Sequence, residues 1–304
     1  MYIARSMTSE PKNESDIDPR VLELYDEYCH GAIDRREFLR RSALLTVAGA
    51  SALTLAQAML PQYARAQTIS FTDERIKATY VTYPSLGGTS GMMRGYLVQP
   101  RGDGPFPAVI VFHENRGLNP YIEDVARRLA VAGFLALAPD GLSPVGGYPG
   151  NDDDGRTLQA KLDPAKLRQD MINSARYLEA HALSSGKLGA VGFCWGGGMV
   201  NQLAVALGAD LQAAVPFYGA APAVADVPKI KARLLIQYAA NDQRINAMWP
   251  EFEAALKASK ARYTMHMYEN TNHGFHNNST PRHDAAAAKL AWDRTLELFR
   301  AELK

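Results

Sequence analysis

A thiol set between glycines is the first chemistry this chain offers. Gly192-Phe193-Cys194-Trp195-Gly196 follows the apolar run Leu188-Gly189-Ala190-Val191 and precedes the helix-like run Gly198-Met199-Val200-Asn201-Gln202-Leu203-Ala204. A strand, a sharp turn and a helix with a nucleophile at the tip make a nucleophile elbow, where the nucleophile sits at a strained backbone position. Flanking glycines, lacking Cβ, let strand and helix approach closely around it. Serine commonly holds the central place. Cysteine brings a stronger nucleophile that needs a different style of activation. Asp242 and His273 follow in chain order, an acid that can orient a histidine and a histidine that can move protons for the thiol. Each residue alone has a plainer explanation: a buried cysteine is usually a small core hydrophobe, an Asp after a strand a turn former, a loop His a surface residue. Three suitable types at three strand ends in one order form a joint signal that those explanations miss.

The elements that must position these groups read as alternating strand and helix. Ile76–Val81 and Met93–Val98 flank a Gly-rich turn and predict an antiparallel hairpin. Strands are expected at 108–113, 134–138, 187–191, 212–217, 233–239 and 263–268, and helices at 120–132, 164–181, 247–259 and 283–302, besides the elbow helix. That alternation predicts an α/β fold, a mostly parallel sheet with helices on both faces. Asp242 falls in the loop after Leu234-Leu235-Ile236-Gln237-Tyr238-Ala239, at a carboxyl end of the sheet, where open α/β folds place their sites. His273 falls in the polar loop Glu269–His276 after the last strand. Asp140–Leu162, rich in Gly, Pro and Asp, reads as a loop lining a substrate entrance.

From about Tyr80 to the C-terminus the chain resembles the dienelactone hydrolase family (carboxymethylenebutenolidases) of the α/β-hydrolase fold. The resemblance rests on His113-Glu114-Asn115-Arg116-Gly117, the Cys194 elbow, Asp242, His273-Gly274-Phe275 and the helix segment Asn119–Ala130. It implies Cys194, His273, Asp242 and Glu114 as catalytic residues, with the backbone N–H groups of Trp195 and Asn115 as oxyanion donors. It further implies a resting thiol held neutral in contact with Glu114, which takes the proton when substrate arrives. His276, Tyr148 and Arg116 are the expected substrate contacts. Arginines that hold a substrate carboxylate in the best-studied members have no counterpart just after the histidine motif, where His276-Asn277-Asn278 stands and no arginine appears before Arg282. Neutral or less acidic esters and lactones are therefore the expected substrates, unless Arg116, Arg244 or Arg282 folds in to supply the missing fork.

Composition bounds the remainder. The 304 residues are 47% hydrophobic and 21% charged with a formal net charge of +1, which argues for a globular chain and against a nucleic-acid partner. Neither a cofactor motif nor a metal-ligand cluster is expected, since His273 and His276 lack a third ligand. Residues 1–66 read as a leader and 67–304 as a single domain. Met1 to about Asp18 is polar and reads as disordered, and Val21–Tyr28 could form a short amphipathic helix. Asp34-Arg35-Arg36-Glu37-Phe38-Leu39-Arg40-Arg41, the 19 uncharged residues Ser42 to Leu60 and Tyr63-Ala64-Arg65-Ala66 together read as a twin-arginine export signal with a cleavage site after Ala66. That predicts a periplasmic or secreted protein with no stable membrane insertion after cleavage. The alternatives are a helical hairpin packed on the domain of a cytoplasmic protein, or an uncleaved anchor. Of the two cysteines, Cys29 would leave with the leader, so the mature chain would carry Cys194 alone, without an internal disulfide. The expected activity is hydrolysis of a small ester or lactone through a Cys194 acyl-enzyme. A broader carboxylesterase or thioesterase, or a non-catalytic binding or stress protein that kept the fold, are the alternatives. Oligomeric state has no signature in the sequence.

Overall fold

Along 106–112, Ala108, Ile110 and Phe112 pack into one apolar layer and Val109 and Val111 into another, as a strand buried on both faces requires. The computed structural model describes residues 19–45 and 61–304. In chain order the elements are α1 (Pro19–Cys29), α2 (Arg35–Leu45), α3 (Tyr63–Ala66), β1 (Ile76–Ser85), β2 (Gly91–Pro100), β3 (Phe106–Phe112), α4 (Pro120–Val131), β4 (Leu135–Pro139), α5 (Asp152–Gln159) and α6 (Pro164–Glu179). They continue with β5 (Ser184–Phe193), α7 (Trp195–Leu207), β6 (Ala213–Phe217), β7 (Arg233–Asn241), α8 (Gln243–Asn246), α9 (Trp249–Ala258), β8 (Tyr263–Asn272) and α10 (Ala285–Glu302).

The eight strands form one sheet in the order β1-β2-β4-β3-β5-β6-β7-β8. β1–β2 and β2–β4 pair antiparallel, and all other neighbours pair parallel. α4 and α10 cover one face through Ile122, Val125, Leu129 and Phe299, while α6, α7 and α9 cover the other through Met171, Leu203 and Phe252. This is the α/β-hydrolase fold. The chain passes from β3 out to β4 and then back across to β5, so the strand order reverses between β3 and β5. Such a switch point opens a crevice beyond the strand ends, and ligands of open α/β sheets bind there.

Local signals explain the helix starts. Asn119 caps α4 by accepting from the Ile122 N–H, with Pro120 as the first helical residue, and Asp163 does the same for α6 ahead of Pro164. The expected entrance loop 140–162 is not wholly irregular, because α5 forms within it. Asn151 accepts from the Asp154 N–H, and Asp152, Asp153 and Asp154 supply the negative charge a helix start favours. β8 also runs to Asn272, four residues beyond the expected end, so His273 leaves directly from a strand.

α1 and α2 form a helical hairpin turning at Gly31, where φ is +79°. Val21, Tyr25, Tyr28, Cys29 and Phe38 make a small core of their own, with the Tyr28 and Phe38 rings stacked 5.2 Å apart. The polar stretch Met1–Asp18 and residues 46–60 of the uncharged run lie outside the described residues. Among the described residues no helix is long and apolar enough to cross a membrane.

Candidate active site

Cys194 joins β5 to α7 with φ +57° and ψ −116°, a left-handed backbone that a side-chain-bearing residue adopts at a cost of order 1–3 kcal/mol. Close packing holds it there. A Cβ on Gly192 would lie 2.2 Å from the Gly196 carbonyl oxygen, and one on Gly196 would lie 2.4 Å from that of Phe112. β3 and β5 pair at Phe112 and Gly192, so Glu114 and Cys194 both leave the sheet two residues beyond that rung. Trp195 opens α7, and its N–H has no intrahelical acceptor.

Asp242 and His273 leave the neighbouring ends of β7 and β8 and meet, Nδ1 to Oδ2, at 2.5 Å. Asp242 also accepts from the Ile245 N–H, as the cap of α8. His273 Nε2 has no hydrogen-bond acceptor of its own and is buried, while the Cys194 sulfur and nitrogens of His273 and His30 all lie within 4.8 Å of one another. Burial pushes the Cys194 thiol up, but the charge of the neighbouring His273 brings it well below its ordinary value. Burial alone would lower His273. The Cys194 charge and the bond to Asp242 raise it instead. Both shifts run toward thiolate and imidazolium, the opposite direction from the neutral resting thiol the resemblance implies.

Glu114 departs from that implication too. Its Oε2 accepts from Asn277 Nδ2 at 3.0 Å and lies 3.7 Å from Arg116 Nε, and no hydrogen bond joins it to Cys194. Burial raises its carboxyl above the usual range, against the pull of Arg116, and the Cys194 charge raises it further. Of the expected substrate contacts, Arg116 donates to Asp152 at 2.9 Å, Tyr148 donates to the same carboxylate, and both line a cavity of about 200 Å³. His276 lies elsewhere. It is 2% exposed, bonds the Tyr121 hydroxyl at 2.7 Å and stacks on Phe193. Burial holds it well below its ordinary value, so it is a neutral core residue without a face toward the mouth.

Arg282, named above as an arginine that could fold in, is buried beside Gly274. Sequence reasoning missed three neighbours. Asn277 holds Glu114, and Tyr218 packs its ring 4.9 Å from that of His273. His30, from the loop after α1, brings Nε2 to 3.9 Å from the Cys194 sulfur. Its 164-residue separation from Cys194 leaves no local pattern to read. His30, Cys194 and His273 are potential metal ligands, their ligand atoms lying within 4.8 Å of one another. The Arg244 guanidinium, 2.9 Å from His30 Nε2, already occupies that lone pair with a cation.

The model of the dienelactone hydrolase family matches residues 93–303, and a second family model, YqhI-like, matches residues 8–47. A Synechocystis sp. protein bearing the name carboxymethylenebutenolidase is 31% identical over 255 residues, 75% of this chain and 98% of that one. The Escherichia coli K12 hydrolase fragment YghX is 63% identical over 115 residues, 38% of this chain and 97% of the fragment. Among solved structures, a dienelactone hydrolase-like promiscuous phosphotriesterase from metagenomic libraries superposes with a TM-score of 0.66 at 28% identity, covering 76% of this chain and 100% of that one.

Proposed function

The chain belongs to the dienelactone hydrolase family, and we propose that it cleaves small lactones and esters through a thioester on Cys194. The observation that carries this reading is the left-handed Cys194 at the tip of β5, facing a His273 locked to Asp242 at 2.5 Å. The Cys194 thiolate adds to the carbonyl carbon. The Trp195 and Asn115 N–H groups receive the negative charge that develops on its oxygen, and each such donor is typically worth about 2.7–4 kcal/mol. Collapse expels the alkoxide, which takes its proton from His273. Water then attacks the thioester with His273 as base, and collapse releases the acid and the Cys194 thiolate beside a protonated His273. Glu114, with its carboxyl raised by burial, is a second proton acceptor within the field of the thiolate.

Neutral substrates suit this site better than carboxylate-bearing ones. Arg116 is held by Glu114 and Asp152 within the catalytic domain, and His276, the residue after His273-Gly274-Phe275, is buried with its imidazole held well below its ordinary value, so neither offers a free cationic fork. Kinetics on a matched pair of lactones, one with and one without a free carboxylate, test this. The neutral member should have the higher kcat/KM, and a large advantage for the acid would overturn the preference.

We also propose that residues 1–66 direct export. Arg35 and Arg36 are exposed on α2, as recognition of a paired-arginine signal needs. Intact mass of the protein from its host should show a chain beginning at Gln67, whereas a mature soluble chain retaining Met1 or Met7 would refute export with cleavage.

A further inference from the structure

Four groups around the proposed site are satisfied by residues of the N-terminal hairpin. Arg282 NH1 donates to Asp26 at 3.0 Å, and Arg244 NH2 donates to His30 Nε2 at 2.9 Å. Asn115 Nδ2 donates to the Cys29 carbonyl at 2.9 Å, next to the expected oxyanion N–H. Arg156, on α5, lies over the Tyr28 ring at 4.5 Å and also donates to the Tyr28 carbonyl. The result is closure. The His30 ring sits 4.8 Å from that of His273, and Cys194 is 8% exposed with His273 at 4%. An acyl group bonded to Cys194 would have to share the space His30 fills.

We propose that α1, α2 and the His30 loop form a displaceable cap that blocks Cys194, latched by Asp26 on Arg282 and by Tyr28 on α5. This rests on the reading of Cys194 as the nucleophile. The way the cap is held supports displacement. Its own core has five buried side chains, its attachments to the domain are mainly polar, and isolated helices of 11 residues are marginal in water. Few apolar contacts and many polar ones mark a unit that opens locally, without global unfolding. The match of residues 8–47 to a family model of its own fits a unit distinct from the catalytic domain. Cleavage after Ala66 would remove the cap outright, coupling export to activation. In an uncleaved chain the cap would have to swing away for substrate to enter.

The test uses the full chain with Asp26→Ala and Tyr28→Ala together, leaving every residue of the proposed catalytic set and His30 in place. Iodoacetamide labelling is followed by peptide mass, which separates Cys194 from Cys29, and turnover of a chromogenic acetate ester is measured in parallel. A cap predicts that Cys194 labels at least tenfold faster in the double variant and that turnover rises with it. Unchanged labelling would overturn the cap, since the latch would then control no access. Faster labelling with reduced turnover would also overturn it, by making the hairpin a working wall of the site. Labelling reports access to the sulfur without any esterase activity. A failure of the cap is thus separable from a failure of the nucleophile, which would leave wild type and variant equally inert toward the ester while labelling still changed.

Discussion

The Cys194 elbow and the His30 loop meet within 4 Å, yet they are held by opposite means. The elbow is fixed by backbone against backbone. The backbones of Phe112, Gly192 and Gly196 approach too closely for a Cβ on either glycine, and β3, β5 and β6 are buried through their adjoining rungs. The His30 loop is fixed by side chains reaching across from another element, Arg244 and Arg282 among them. A close-packed interior resists small displacements, whereas polar contacts at a surface exchange readily with water. The contrast teaches that one wall of this site is rigid and the other can be released, so each can be perturbed without the other.

The largest effect should come from the rigid wall. Cys194→Ala should abolish ester turnover and keep the fold, because Ala nearly fills the thiol's volume, and wild-type turnover in this variant would refute the nucleophile. Asp242→Asn and Glu114→Gln should follow, each lowering kcat by about 10²–10⁴, the usual range for acid–base and orienting roles. A rate within about twofold of wild type would reduce Glu114 to a carboxylate that holds Asn277. Gly196→Ala should destabilise the domain by about 1–3 kcal/mol in denaturant unfolding, the usual penalty for overpacking, through its clash with the Phe112 and His113 carbonyls. No comparable loss is expected from Asp26→Ala, whose partner Arg282 reaches the mobile wall.

The pH dependence sharpens the same comparison. The thiol is lowered and His273 raised, which widens the pH range over which thiolate and imidazolium coexist. In the latch variant, labelling of Cys194 should hold nearly constant from about pH 8 to about pH 6, where a free thiol titrating near 8.5 would slow roughly a hundredfold. For folding, the raised His273 stabilises below its unfolded value near 6.5, and that contribution is lost as pH rises through its folded value. Asp242 is lowered, chiefly by His273 against the effect of burial, so its contribution is lost as pH falls through its folded value.

What the sequence disclosed follows the same division. The elbow, Asp242 and His273 were legible because strand ends and glycine spacing are local, and the sheet order placed them together as expected. The helix α5 was missed although Asn151 and three aspartates announce a capped start, because the glycines and prolines around it read as loop. His276 was misplaced because a histidine two residues past a glycine turn gives no sign of which side it takes, and its ring joined Phe193 and Phe217 in the core. A helical hairpin packed on the domain was one alternative for the leader, but that His30, Asp26 and Tyr28 would dock at the Cys194 site could not be located from the sequence. Each depends on a partner more than 120 residues away, and the paired arginines nearby pointed to export instead.

The central claim is that Cys194 carries the acyl group. Mixing the latch variant with a chromogenic acetate ester, quenching in acid and mapping peptides by mass should find one acetyl group on the peptide containing Cys194, and none after Cys194→Ala. Chromophore released steadily with no acetyl on that peptide, or with acetyl on another residue that survives Cys194→Ala, would contradict the account.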